Sequence, residues 1–258
     1  MTQTARTIFA LLFLLTGCAT APADPVELAE FKALNDPLEP MNRKILAFNN
    51  AADKYVLHPI ATGYRSVTTP DFRKGVRAFI ANLKTPVSMV NNVLQFNLAN
   101  AGKDLSRFVI NSTLGVFGVF DIATRMGLEA NPQGFGTTMA VWGVPDGPYL
   151  ILPLLGPSNV RDAAGMGANY LLDPATYIAW NSSKPSVKDT TITLDIVEPL
   201  AVYENAMDLL DDARSTALDY YAYVRTMYRQ HRQKAIDDAK GASVESAPSY
   251  EFDLDDEE

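Results

Sequence analysis

The side chains that could do chemistry in this 258-residue chain are few and far apart. Cys18 is its one thiol, and His58 and His231 are its two imidazoles. A zinc site is usually built from three or four Cys, His or carboxylate ligands, so this inventory argues against one. No metal and no cofactor are expected. A single cysteine also excludes an intramolecular disulfide framework. There is no Gly-x-Ser-x-Gly elbow, no His-Glu-x-x-His pair and no glycine-rich phosphate loop. Gly165-Met166-Gly167 lacks the third glycine of a dinucleotide fingerprint. His58 precedes Pro59 at an expected helix-to-loop exit, and His231 sits among basic residues. Neither has a Ser or Asp partner close in sequence, so both are expected to be structural or surface residues. The expectation is a protein that is not an enzyme.

The position of Cys18 is more informative than its reactivity. Residues 1–7 are polar and carry Arg6, residues 8–15 are continuously apolar, and Leu15-Thr16-Gly17 leads into Cys18. A basic start, a short apolar run and a small-residue exit describe a secretory signal peptide. The run is too short to span a bilayer, which needs about 20 apolar residues. The Leu-Thr-Gly-Cys end resembles a bacterial lipobox, in which the thiol receives diacylglycerol and the new N-terminus an acyl chain. The competing explanation is a coincidental cysteine in an ordinary leader. Residues 1–17 are therefore expected to be a lipoprotein signal peptide, and 18–34 a lipidated tether. Ala19 is compatible with export to the outer membrane, where Asp would resemble a retention signal.

Beyond the tether the pattern is helical. Asp36-Pro37, Thr69-Pro70 and Thr85-Pro86 each place a capping residue before a proline, the signature of a helix start. Leu38, Met41, Ile45, Phe48 and Ala52 follow the first at helical spacing. Leu98, Ala101, Leu105, Phe108 and Val109 mark a further helix, and one long helix is expected from Ala201 to about Ala239. Its Tyr220, Tyr221, Tyr223 and Tyr228 can cap a core or form an interfacial belt.

The middle is charge-poor. Between Phe108 and Ser183 the only charged residues are Asp121, Arg125, Glu129, Asp146, Arg161, Asp162 and Asp173. Gly and Pro interrupt every apolar run, which excludes an ordinary transmembrane helix. Two readings follow: a buried core with tight turns, or short helices and turns seated partly in a membrane interface.

Composition narrows the partners. Apolar residues make up 47% of the chain, enough for a packed core. The formal charge is -8, which argues against nucleic acid as a partner. Most of that charge lies in the acidic segment 241–258, expected to be a disordered tail.

Several blocks, in order, match one family. They are Asn35-Asp36-Pro37-Leu38-Glu39-Pro40-Met41-Asn42-Arg43, then Arg107 to Gly115 and Gly118 to Ala123. Trp142-Gly143, Gly147-Pro148-Tyr149-Leu150, Gly156-Pro157-Ser158, Arg161-Asp162 and Tyr223-Val224-Arg225 continue the series. Together, behind a lipobox, they resemble the VacJ/MlaA family of outer-membrane lipoproteins over about Asn35 to Arg232. Ser112, where the family often has Thr, and Phe117, where it often has a small residue, depart from the pattern.

The resemblance implies an all-α, ring-like arrangement of amphipathic helices over 35–240, with a central channel and partly embedded in a membrane leaflet. It implies a lipid-anchored location on the periplasmic side of the outer membrane. The implied function is removal of mislocalised phospholipid from the outer leaflet, keeping the membrane asymmetric. Implied partners are phospholipid, a trimeric porin, and a soluble periplasmic lipid carrier feeding an inner-membrane ABC transporter. Within that frame Phe117, Phe120, Trp142 and Tyr149 are expected to contact acyl chains or the interface. Asp121, Arg125, Arg161 and Asp162 are the polar channel candidates, since isolated charges in apolar surroundings are paired or functional. The alternatives are a structural envelope lipoprotein that stabilises porins without moving lipid, and a lipid hydrolase, for which no nucleophile with an adjacent base is found.

Overall fold

The computed structural model of the chain describes residues 36–173 and 181–241, together with Asp24 and Thr176. Cys18, the expected signal peptide, the expected tether apart from Asp24, and the segment beyond Gly241 lie outside the described residues.

The first helix, α1 (Glu39–Ala52), carries Pro40 in its first turn and is preceded by Leu38. The helix start expected at Asp36-Pro37 is therefore displaced. The Asp36 carboxylate is spent elsewhere, accepting from Asn42 Nδ2 at 2.9 Å and from Arg225 Nη1 at 2.8 Å. A π-helical turn (Asp53–Leu57) then joins α1 to α2 (His58–Val67) without a break. The exit expected at His58-Pro59 is absent. Proline has no N–H to donate, and the widened turn before it takes up the missing bond.

Thr69 caps α3 (Pro70–Leu94), accepting from the Phe72 N–H at 3.3 Å, as its Thr-Pro sequence predicts. Thr85-Pro86 starts nothing, because α3 runs straight through Pro86. Thr85 instead donates its hydroxyl to the Ala81 carbonyl one turn back, at 3.0 Å. Asn97 caps α4 (Leu98–Thr113), and Asp121 caps the short α5 (Ile122–Arg125). After α6 (Phe135–Val141) the chain forms a small antiparallel hairpin, β1 (Tyr149–Leu152) and β2 (Gly156–Asn159), with Leu150 opposite Ser158. Asn159 caps α7 (Val160–Leu172).

The last stretch is two helices rather than the one expected. Helix α8 (Pro185–Thr216) ends where Ala217 turns extended, and α9 (Tyr220–Ala239) restarts under the Asp219 carboxylate, which accepts from Tyr221 N–H at 2.9 Å. An apolar stripe that continues across a break cannot reveal it; the capping Asp could have.

The elements close on themselves. Helix α3 packs on α4 and on α6, α6 on α9, α9 on α8, and α8 returns to α3. Glycines make a further contact, between α6 and α7, possible. A Cβ on Gly165 of α7 would stand 2.4 Å from the backbone nitrogen of Gly136 in α6, so neither helix could approach with a side chain there. The chain is mostly helical, and among the described residues no helix is long and apolar enough to cross a membrane.

The apolar core is small. Tyr149, Ile151 and Tyr221 form it, with Ile45, Leu46 and Tyr228 packed against them. Among the described residues, buried polar and charged side chains outnumber buried apolar ones. In a water-soluble fold the balance runs the other way.

Candidate functional site

Helix α4 shows how the balance is inverted. Ala101, Asp104, Arg107 and Asn111 recur at helical spacing and are buried. On its other side Leu98, Leu105 and Val109 are exposed. The same holds in the second half of α3, where Ser88, Asn91 and Asn92 face inward and Val90 and Val93 outward. A helix turns its polar stripe inward when its outward neighbour is not water.

The inward polar groups are joined to one another. Asp104 accepts from Ser88 Oγ at 2.7 Å and Asn92 Nδ2 at 2.8 Å, and burial raises its carboxyl above the ordinary range despite those bonds. Gln95 donates to Thr138 Oγ1 at 2.9 Å, and that hydroxyl donates to Asn91 Oδ1 at 2.8 Å. Arg107 reaches across to Asp121 at 3.2 Å and to the Leu128 carbonyl. A cavity of about 130 Å³ lies between α3 and α4, lined among others by Asn82, Ser88, Asp104, Arg107, Asn111 and Asp121.

The loop from Leu114 to Phe120 completes the outward face. Phe117 is 75% exposed, Phe120 52% and Phe96, at the end of α3, 87%. Leu114 and Val116 are exposed beside them. Yet the loop backbone is largely spoken for. The N–H groups of Leu114 and Gly115 bond Ile110, that of Phe117 bonds Ser112, and that of Gly118 bonds Asn111. Those of Val119 and Phe120 bond Val116 and Gly115. Irregular backbone enters hydrocarbon only when its polar groups are satisfied from within. The closure has a conformational cost, because Val116 and Phe117 sit at φ 52° and 56°, the left-handed region. Gly118, at φ 92°, takes the tightest place, since a Cβ there would stand 2.5 Å from Asn82 Cβ. Ser112 supplies the hydroxyl that accepts from Asn82 Nδ2 at 2.9 Å, so its departure from Thr keeps the contact.

The sequence candidates divide. Phe117, Phe120 and Trp142 are exposed; the Trp142 indole donates to the Leu94 carbonyl at 3.0 Å, and its ring meets Phe135 edge-on at 5.7 Å. Tyr149 does not belong with them. It is 3% exposed and packs between Tyr221 and Tyr228, ring centroids 6.3 and 5.8 Å away. Strand alternation turns it inward, as it does Ile151.

The four polar candidates do not form one cluster. Asp121 belongs to the α3–α4 network, where burial would raise its carboxyl but bonds from Thr124, Asn111 and Arg107 carry it down to about 2. Arg125 is exposed at the end of α5. Arg161 and Asp162 are buried at the start of α7. Asp162 accepts from Arg232 Nη2 at 2.7 Å, Tyr228 Oη at 2.7 Å and Asn159 Nδ2 at 2.9 Å. Burial opposes its ionisation, but these donors and Arg161 leave its carboxyl below the ordinary range.

His58 has a partner that sequence proximity could not reveal, Asp211 of α8, at 3.2 Å. A His–Asp pair is two parts of a hydrolytic triad. The other residues lining the adjoining cavity, Asn50, Asp53, Lys54, Arg214 and Tyr220, include no Ser, Thr or Cys. Among the described residues no group of three or more His, Cys, Asp or Glu could hold a metal.

Known proteins are similar to this chain in sequence and fold. Residues 34–235 match the profile of the MlaA lipoprotein family. The chain belongs to that family. The intermembrane phospholipid transport system lipoprotein MlaA of Haemophilus influenzae is 30% identical, with 98% of this chain and 97% of that one aligned. Its namesake from Escherichia coli K12 is 33% identical over 66% and 67% of the two chains. An uncharacterised protein of Rickettsia felis is 43% identical over 78% of each. A solved structure reported under the words "Structural basis for maintenance of bacterial outer membrane lipid asymmetry" superposes with a TM-score of 0.66. It is 30% identical and covers 78% of this chain and 98% of that one. The exposed apolar face and the inward polar network both lie within the span that defines the family.

Proposed function

We propose that this chain is an outer-membrane lipoprotein that removes mislocalised phospholipid from the outer leaflet for retrograde transport, maintaining lipid asymmetry. The observation that carries the reading is the inverted polarity of α3, α4 and the 114–120 loop. Apolar side chains face out over a backbone that is hydrogen-bonded within, and a polar network faces in. Such a surface is stable against acyl chains and not against water. The relatives named for intermembrane phospholipid transport support the cargo.

In this reading Cys18 bears diacylglycerol and an N-acyl chain, which hold the domain on the periplasmic side of the membrane. Phe117, Phe120 and Trp142 seat the outward face among lipid tails. The closed circuit of α3, α6, α9 and α8 surrounds a channel through which a headgroup passes along polar walls. A trimeric porin holds the domain in place, and a soluble periplasmic carrier takes the lipid on to an inner-membrane ABC transporter. No step needs a bond broken, so the protein acts without catalysis, and the direction of flow comes from the downstream partners.

The test is outer-leaflet phospholipid in a deletion strain complemented with wild type, Cys18→Ala or Phe117→Glu. Excess surface phospholipid in the deletion, corrected by wild type and by neither variant, is the expected result. Normal asymmetry in a deletion strain without a second copy would instead favour a structural lipoprotein that steadies porins.

A further inference from the structure

We propose that the C-terminal segment 250–255 folds back onto its own domain and docks in an apolar groove between the tip of the β hairpin, α8 and α9. The groove has a volume of about 420 Å³. Leu154 and Leu155 at the tip, Leu209 and Leu210 of α8, and Val224 and Met227 of α9 line it.

Its walls are apolar and open. Leu154, Leu155, Leu209 and Met227 are 62%, 66%, 64% and 46% exposed. The tip is also held in place. The Leu154 N–H donates to Asn49 Oδ1 at 2.8 Å, and Asn49 Nδ2 donates to the Leu152 carbonyl at 3.0 Å. Leu154 sits at φ 64°, the left-handed region, which is unfavourable for leucine. Two leucines fixed outward at a conformational cost, beside further exposed apolar side chains, mark a surface that another group covers.

The chain carries a segment shaped for it. Beyond Gly241, Tyr250, Phe252 and Leu254 alternate with Glu251, Asp253 and Asp255. Acidic segments that stay solvated are poor in aromatic residues. Strict alternation sets the three apolar side chains on one face of an extended strand and the three carboxylates on the other. The apolar face then enters the groove while the carboxylates stay in water.

The reach is sufficient. Helix α9 ends at Ala239, and Gly241, at φ 68°, turns the chain there. From Lys240 back to Met227 is about 20 Å at the helical rise per residue. Residues 241–250 extend over about 30 Å, so Tyr250 arrives beside Met227 with chain to spare. The segment lies beyond residues 34–235, which match the family profile, so the device belongs to this chain and not to the family's shared span. Docked, it hides the groove from water, and another apolar molecule enters only by displacing it.

Two measurements on the full chain in detergent-free buffer test the docking. Hydrogen exchange compares wild type with the double variant Tyr250→Ser and Phe252→Ser. Amides around Leu154 and Leu155 are expected to exchange at least about tenfold faster in the variant, the scale of one apolar side chain withdrawn from its contact. Disulfide trapping, in a Cys18→Ala background, pairs Phe252→Cys with Met227→Cys, and with Val93→Cys on the outward side of α3 as the control. A disulfide within one chain, formed at least about tenfold faster at Met227 than at Val93, is the expected result. Should Met227→Cys fail to fold, Leu155→Cys at the exposed tip takes its place. Equal trapping at the groove and the control overturns the docking. Equal exchange in wild type and variant overturns it as well, and slowing of both by phosphatidylglycerol vesicles then assigns the groove to lipid. A disulfide between two chains also overturns it and assigns the groove to the segment of a second copy. Neither measurement depends on lipid transport.

Discussion

Arg232, on the last helix, donates two hydrogen bonds to the Asp162 carboxylate at the start of α7, one of them at 2.7 Å from Nη2. Asp162 is 6% exposed and also accepts from Tyr228 of the same helix. Residues 70 apart in sequence are thereby fixed in a fork-to-fork pair that fastens α9 to α7. Breaking a buried pair by removing one partner leaves the other charge uncompensated, at a cost of about 3–5 kcal/mol. Asp162→Asn is expected to lower unfolding stability by that order in urea denaturation. A loss below about 1 kcal/mol would show that the pair is not the fastener.

The same carboxylates set the response to acid. Asp121 and Asp162 both have folded-state values below the ordinary carboxylate range, Asp121 at about 2. The unfolded chain therefore binds protons more readily than the folded one as the pH falls toward 4. Stability from these two groups is fully present at neutral pH and is lost as pH falls below about 4, for Asp121 through about 2. Between pH 6 and 8 they are expected to contribute no slope. An Asp121→Asn variant is expected to be less stable at pH 7 and to lose less on acidification, measured as urea midpoints across that range.

How much of this was legible beforehand follows from what a sequence records. Thr69-Pro70 announced the start of α3 because cap and proline act within one turn. Thr85-Pro86 carries the same local signal and starts nothing, because α3 packs along both α4 and α6 and tertiary contact outweighs the missing bond. Ser88, Asn91, Asn92 and Gln95 recur at helical spacing, but periodicity alone does not say which stripe faces in. Phe117 and Phe120, lipid-contact candidates within the frame of the family resemblance, are exposed. Tyr149, a candidate within the same frame, is core, since nothing local in the sequence reveals the hairpin that turns it inward. The Asp211 partner of His58 was hidden by a sequence separation of 153 residues.

Phe117 offers a test of strain against function. Its φ of 56° is unfavourable for any residue with a Cβ, and glycine removes that penalty, worth about 1 kcal/mol. The side chain is exposed, so little packing is lost with it. Phe117→Gly is therefore expected to match or exceed wild type in thermal unfolding in aqueous buffer. It is also expected to bind vesicles more weakly, when the domain without its acyl anchor is measured by flotation. Lower thermal stability together with unchanged flotation would mean that Phe117 serves the fold and not the membrane.

The contact that closes the circuit of helices carries a buried carboxylate in addition to the more exposed pair of Lys84 with Glu198 at 2.9 Å. Glu204 of α8 is 3% exposed and meets three guanidinium groups, Arg65 of α2 at 2.7 Å, Arg73 of α3 at 3.1 Å and Arg77 of α3 at 3.0 Å. Asp208, one turn on, takes a second bond from Arg65 but is largely exposed, so it replaces little of the buried charge. Three cations converging on one buried anion would repel one another without it. Glu204→Gln keeps the shape and removes the charge, and is expected to destabilise the chain by about 3 kcal/mol. The loss should also be local at first. Hydrogen exchange is expected to rise in α8 and in the facing turns of α2 and α3, while β1, β2 and α9, held by Asp36–Arg225 at 2.8 Å and by Asp162–Arg232, stay protected. Uniformly faster exchange in every element would instead mean that the circuit opens as one unit, with Glu204 no more than one contact among many.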